Sequence, residues 1–98
     1  MFLILVYCRT TDVPREVGEA ICRANSTEGL SWNITEEIEA DTWAIRTDCD
    51  RYAHALVYKI GASIVVVEVN DDCVSNVVEP LMEIYGFKNI KWLVSPDV

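Results

Sequence analysis

The stretch from Ser63 to Val69 sets Ile64, Val65, Val66, Val67 and Val69 around one charged residue, Glu68. Side chains branched at Cβ are stiff against a preceding helical turn but pack well on a pleated surface, so this run is strand material. A second run, Phe2 to Cys8, is apolar from its first residue, as expected of a strand covered on both faces or central in its sheet. Any fold of this chain is therefore built around a sheet that contains both segments.

Around these strands the remaining pattern is helical or turn-rich. Thr11 and Asp12 suit a helix start and Pro14 its first turn, while Val13, Val17, Ala20, Ile21 and Ala24 recur at helical spacing, which predicts a helix over about residues 12 to 25. Asn25 to Gly29 reads as a stop. Leu30, Trp32, Ile34 and Ile38 then lie among polar residues as in a half-exposed strand, and Thr42 to Thr47 is a clearer strand, so the two predict a hairpin. Asp48 or Asp50 can cap a second helix with the stripe Ala53, Leu56, Val57 and Ile60, ended by Gly61 as a left-handed cap. Asn70, Asp71 and Asp72 form another capping cluster. They precede a third helix with Val74, Val77, Val78, Leu81, Met82 and Tyr85 on one face, where Pro80 predicts a kink or break. Gly86 closes that helix, and Asn89 to Ser95 is a final strand. The expected order is βαββαβ followed by αβ, a single α+β domain over residues 1–98: a ferredoxin-like sandwich with an added C-terminal helix and strand. An alternating Rossmann-like reading fails, because no glycine follows the first strand at Cys8 to Asp12.

Composition narrows the function classes. The 98 residues are 51% hydrophobic, and 16 acidic side chains against 8 basic ones leave a formal net charge of −8. A chain of this size buries roughly two-thirds of its unfolded surface, enough for one core. Excess acid argues against direct nucleic-acid binding, whose affinity comes largely from Lys and Arg displacing counterions, and against an anionic membrane surface. Arg9, Arg15, Arg23 and Arg46 are scattered and form no basic stripe. No apolar run approaches the ~20 residues that span a bilayer, and the N-terminal run lacks the basic flank of a secretory signal. Cys8, Cys22, Cys49 and Cys73 are dispersed, with His54 the sole histidine. That spacing fits reduced cytoplasmic thiols better than a zinc site, although two bridges are also compatible with it. No cofactor motif is present.

The short N-terminal strand, the strand Asp41 to Thr47 after a turn, the helix expected at 50 to 60 and the Ile64 to Val69 run together cover about two-thirds of the chain. In these features the sequence resembles the small ferredoxin-fold family of CRISPR-associated spacer-acquisition subunits and their SinR-like relatives. The resemblance implies a homodimer in which the C-terminal strand, here carrying Trp92, Leu93 and Val94, extends the partner's sheet. It also implies a metal-holding aspartate at the end of the first strand, where this chain has Tyr7 followed by Cys8. A thiol is a poor ligand for Mg²⁺ or Mn²⁺, which prefer oxygen, so the departure points to a catalytically degenerate member. Asp12 is the substitute ligand that a nuclease reading would need.

The densest charge feature is Glu36, Glu37, Glu39 and Asp41. On a strand, Glu37, Glu39 and Asp41 would share a face with carboxylates roughly 7 Å apart, a spacing comparable to phosphates along nucleic acid; a solvated, edge-protecting face is the plainer reading. Cys8 is expected to be a small buried hydrophobe, because a catalytic thiol needs a base. Glu68, Asp71 and Asp72 carry oxygen enough for a weak cation site, but capping explains the aspartates more simply. The function expected from these features is a non-catalytic, acidic, dimeric interaction protein. Its partner-binding residues are Glu36, Glu37, Glu39 and Asp41, and it competes with nucleic acid for a basic protein, as in virus-encoded anti-CRISPR inhibitors. A metal-dependent endonuclease and a small-molecule-binding regulatory domain are the alternatives.

Overall fold

A computed structural model of the chain describes residues 2–7, 14–26, 31–37, 41–47, 53–61 and 63–94, the last three by backbone alone. In chain order the elements are β1 (Phe2–Tyr7), α1 (Pro14–Asn25), β2 (Trp32–Glu36), β3 (Trp43–Thr47), β4 (Ala55–Ile60), β5 (Ile64–Val69), α2 (Val74–Tyr85) and β6 (Ile90–Val94). The class is α+β. The strands form a six-stranded sheet in the order β2-β3-β4-β5-β1-β6, with every neighbouring pair antiparallel.

The helix expected over 50 to 60 is not formed; its described part is strand β4. The stripe Ala53, Leu56, Val57 and Ile60 satisfies a helical period, but Ala55, Val57 and Lys59 alternate equally well with Leu56, Tyr58 and Ile60, and a run this short leaves the period undecided. Pairing decides it. Val57 lies opposite Val67 on one side and Trp43 on the other, so β4 joins the hairpin β2–β3 to the strand pair β5–β1. Gly61 does adopt the left-handed conformation, with φ of 64°, but there it closes the turn that sets Ile60 opposite Ile64. Of the three helices expected, the described residues form two, and the order βαββαβ plus αβ is replaced by the order above.

Both helices lie on one face of the sheet, α1 across β2 to β5 and α2 across β1 and β6, and they pack against each other. The core is the layer between: Ile4 and Val6 of β1, Ile45 of β3, Val57 of β4 and Val65, Val67 and Val69 of β5 meet Val17 and Ile21 of α1 and Val77 and Leu81 of α2. These side chains have essentially no solvent exposure. Each contributes about 1.5–3 kcal/mol on transfer from water. Gly18 brings α1 close to the sheet, since a Cβ at that position would collide with Cδ1 of Ile34 and touch Val57.

Pro80 does not end α2: the helix runs unbroken from Val74 to Tyr85, and Gly86, with φ of 84°, returns its N–H to the Met82 carbonyl. The capping expected of Asn70, Asp71 and Asp72 takes another form. Asp71 to Cys73 make one 3-10 turn, neither it nor α2 has a side-chain N-cap bond, and the Asn70 amide instead donates to the Ala53 carbonyl at 3.0 Å. Thr11, Asp12 and Val13 lie outside the described residues.

Candidate functional site

Because both helices share one side, the opposite face of the sheet carries neither. Period-two alternation and the observed register place Leu3, Leu5 and Tyr7 of β1 beside Glu68, Val66 and Ile64 of β5, and these in turn beside Leu56, Tyr58 and Ile60 of β4. Val66, at the middle, is buried; at the rim Tyr7 is 43% and Ile60 54% exposed. The two polar groups central to this face are paired with each other, the Tyr58 hydroxyl donating to Glu68 Oε1 at 2.7 Å. Burial, then the bond to Glu68 and the charge of that carboxylate, push the Tyr58 phenol up to about 12. Further along the same face, on β3, Arg46 forms an ion pair of 3.0 Å with Glu37.

Of the acidic residues expected to bind a partner, Glu36, Glu37 and Asp41 are described. β2 ends at Glu36, which is exposed; Glu37 is tied to Arg46, and its backbone N–H donates to the Thr42 carbonyl at 2.8 Å. Asp41 sits in the connecting turn with φ of 58° and is exposed, so Glu37 and Asp41 are not on one strand face. Glu39, Cys8 and Asp12 lie outside the described residues. Trp92, Leu93 and Val94 occupy the edge strand β6, opposite Ile4, Leu3 and Phe2 of the same chain.

His54 is not helical: it precedes β4, its N–H donates to the Ile45 carbonyl at 2.7 Å, and its ring stacks on Trp32 at 5.0 Å between centroids. Its Nδ1 lies 3.5 Å from Sγ of Cys73, a buried thiol. This contact joins the residue just before β4 to the one just before α2. Trp32 is buried, and Trp43 is partly buried with the Arg15 guanidinium 5.6 Å above its ring. Cys22 is a second buried thiol, pushed up to about 11 by burial and by the charge of Glu19, with Arg23 opposing. Glu68, bonded to Tyr58, forms no cation site with Asp71 and Asp72: among the described residues no three His, Cys, Asp or Glu side chains are grouped to hold a metal. Nor is any helix among the described residues long and apolar enough to cross a membrane.

The helix-free face of the sheet is therefore the surface whose chemistry most calls for a function. Comparison with family models, curated proteins and solved structures finds no match.

Proposed function

We propose that the chain is a non-catalytic, acidic interaction protein that pairs with a second copy through the helix-free face of its sheet and offers its acidic outer surface to a basic protein partner, in competition with nucleic acid. The observation that carries this reading is the apolar face itself: over three neighbouring strands the register sets Leu3, Leu5, Leu56, Tyr58 and Ile64, all half-buried, around the buried Val66, with Tyr7 and Ile60 exposed at the rim. Contiguous apolar surface of that kind marks interaction sites. A second copy suits it because the chain carries −8 overall. Like-charged copies approach at less cost through a face on which charge is sparse: Arg46 is paired with Glu37, Glu68 accepts from Tyr58, and Lys91, beside Leu5, is a cation. The ferredoxin-like reading belongs with this proposal: the sub-order β4-β5-β1-β6 with α1 and α2 on one side follows the βαββαβ arrangement, with β2 and β3 as a hairpin inserted after α1.

Sedimentation equilibrium at micromolar concentration tests it. The wild type is expected to run as a dimer, and Leu5→Lys, which places a charge in the patch without touching the helix-side core, as a folded monomer with unchanged circular dichroism. A wild type that stays monomeric overturns the pairing.

A further inference from the structure

Strand β2 closes one edge of the sheet, and its register fixes which backbone groups that edge presents. Glu37 donates its N–H to the Thr42 carbonyl, so by the alternation of an antiparallel ladder Asn33 and Thr35 also turn their N–H and C=O groups toward β3. Those of Trp32, Ile34 and Glu36 therefore point outward, where β2 has no neighbouring strand among the described residues. Such a row is a template for a further strand, and edges are commonly guarded by a Lys, a Pro or a bulge. β2 has none of these: its register with β3 is unbroken, and its one charge is Glu36 at its end. The side chains of the same three residues face the helix side, since Ile34 lies against Gly18. Between them and α1 runs an open groove of about 330 Å³, made apolar by Cys22, Trp32 and Ile34 and bordered by Arg23. α1 runs opposite in direction to β2: Arg15 lies over Trp43, which pairs with Glu36, Gly18 meets Ile34, and the last turns with Arg23 fall toward Trp32. Glu19 is held by Arg15 at 2.8 Å, whereas the exposed Arg23 and Glu36 form no ion pair among the described residues.

We propose that β2 takes an extended segment of a protein partner as a seventh, antiparallel strand whose alternate side chains lie over this groove. The segment's central residue, opposite Ile34, exchanges both backbone hydrogen bonds with it and sets an apolar side chain against Cys22 and Ile34. Two residues before it, opposite Glu36, a cation fits; two residues after it, opposite Trp32, an anion meets Arg23. The residues between fall on the side of Asn33 and Thr35 and are polar. A Lys-Thr-Val-Thr-Glu pattern satisfies all five positions. In this mode of recognition the main-chain bonds supply affinity and the pockets for alternate side chains supply selectivity. The inference deepens the reading of the chain as an interaction protein, for which it names the partner's docking segment, and it does not depend on the sheet face pairing with a second copy.

The test is an NMR titration of the full chain with the capped peptide Lys-Thr-Val-Thr-Glu, beside the same peptide N-methylated at its valine and the charge-reversed Glu-Thr-Val-Thr-Lys. With the first peptide, saturable shifts are expected at Trp32 to Glu36 and Cys22 to Ser26, and hydrogen exchange should slow at the amides of Ile34 and Glu36 while that of Thr35, already turned to β3, changes little. N-methylation removes the donor to the Ile34 carbonyl and is expected to abolish binding. Charge reversal and Arg23→Gln, an exposed change, are each expected to weaken it about threefold. Equal binding of the N-methylated peptide, unchanged exchange at Ile34 and Glu36, affinity unmoved by both charge changes, or no saturation overturns the added strand. Shifts confined to Leu5, Tyr58 and Ile64 overturn it as well, but leave the wider interaction reading standing; edge binding by a protein that sediments as a monomer upholds it and overturns the pairing alone.

Discussion

Asn25, the last residue of α1, completes the hydrogen bonding of α2: its Nδ2 lies 2.8 Å from the backbone carbonyl of Asn76. That carbonyl would ordinarily accept the N–H of the residue four positions on, which is Pro80 and has none. The second amide proton of Asn25 goes to the Ile21 carbonyl of its own helix at 2.8 Å, and Asn76 Nδ2 returns a bond to Asn25 Oδ1 at 3.2 Å. The cost of a proline inside α2 is thus met from across the helix pair, which is why the helix continues.

From this follows a coupling. Asn25→Ala removes the donor and is expected to destabilise the protein by about 1–2 kcal/mol. Pro80→Ala restores an N–H at that position, so the same Asn25 change in that background should cost measurably less. Chemical denaturation of the four proteins gives the coupling energy. Costs that simply add would show that the Asn76 carbonyl is satisfied without Asn25.

The close approach at Gly18 gives a second expectation. Gly18→Val must displace Ile34 and press on Val57, and overpacking of this kind costs about 1–3 kcal/mol, with an added penalty for a β-branched residue on α1. Since the nearest obstruction is the tip of Ile34, shortening that side chain in Gly18→Ala by Ile34→Val should recover stability. Thermal melts of the single and double variants decide it; no recovery would locate the obstruction in the backbone or at Val57.

How much of this was legible beforehand depended on length and period. Val65, Val67 and Val69 admit no helical reading, and Val77 and Leu81 sit on a stripe long enough to be unambiguous, so β5 and α2 could be read from pattern alone. Ala55 to Ile60 fits both periods, and only its pairing with Trp43 and Val67 resolves it. Because the apolar face exists only once β4 is a strand, the surface with most to say about function was hidden by one element. The expected carboxylate row failed differently, since β2 stops at Glu36 and Asp41 turns left-handed, a local backbone event that alternation does not report.

Titration of Tyr58 follows from its bond to Glu68. The folded state holds the phenol at about 12 against the usual 10.0, so protonated Tyr58 favours the fold. The contribution is complete below pH 10 and is lost as pH rises through about 12. Phenolate absorbance should show a late-titrating step that Tyr58→Phe removes and that Glu68→Gln shifts downward. Persistence of the late step in Tyr58→Phe would assign it elsewhere. If the helix-free face is covered by a second copy, the monomeric Leu5→Lys variant should also lower it, because burial is the leading cause of the shift.

Cys22 offers the last expectation. Its thiol is held at about 11 rather than 9.0, so at neutral pH the thiolate fraction, the species that reacts, is roughly a hundredfold below that of an ordinary cysteine. Alkylation by iodoacetamide, followed by peptide mass spectrometry, should therefore leave Cys22 unlabelled long after an exposed thiol has reacted. The sign for stability follows: burial of the neutral thiol favours the fold below pH 9 and ceases to do so as pH rises through about 11. Glu19 is the charge that adds to the effect of burial, so Glu19→Gln should speed labelling modestly, while opening the fold with denaturant should speed it to the model-thiol rate. Cys73 beside His54 is the internal comparison: His54→Phe keeps the stack on Trp32 and removes Nδ1, so a change in Cys73 labelling with Cys22 unmoved would separate the imidazole contact from burial.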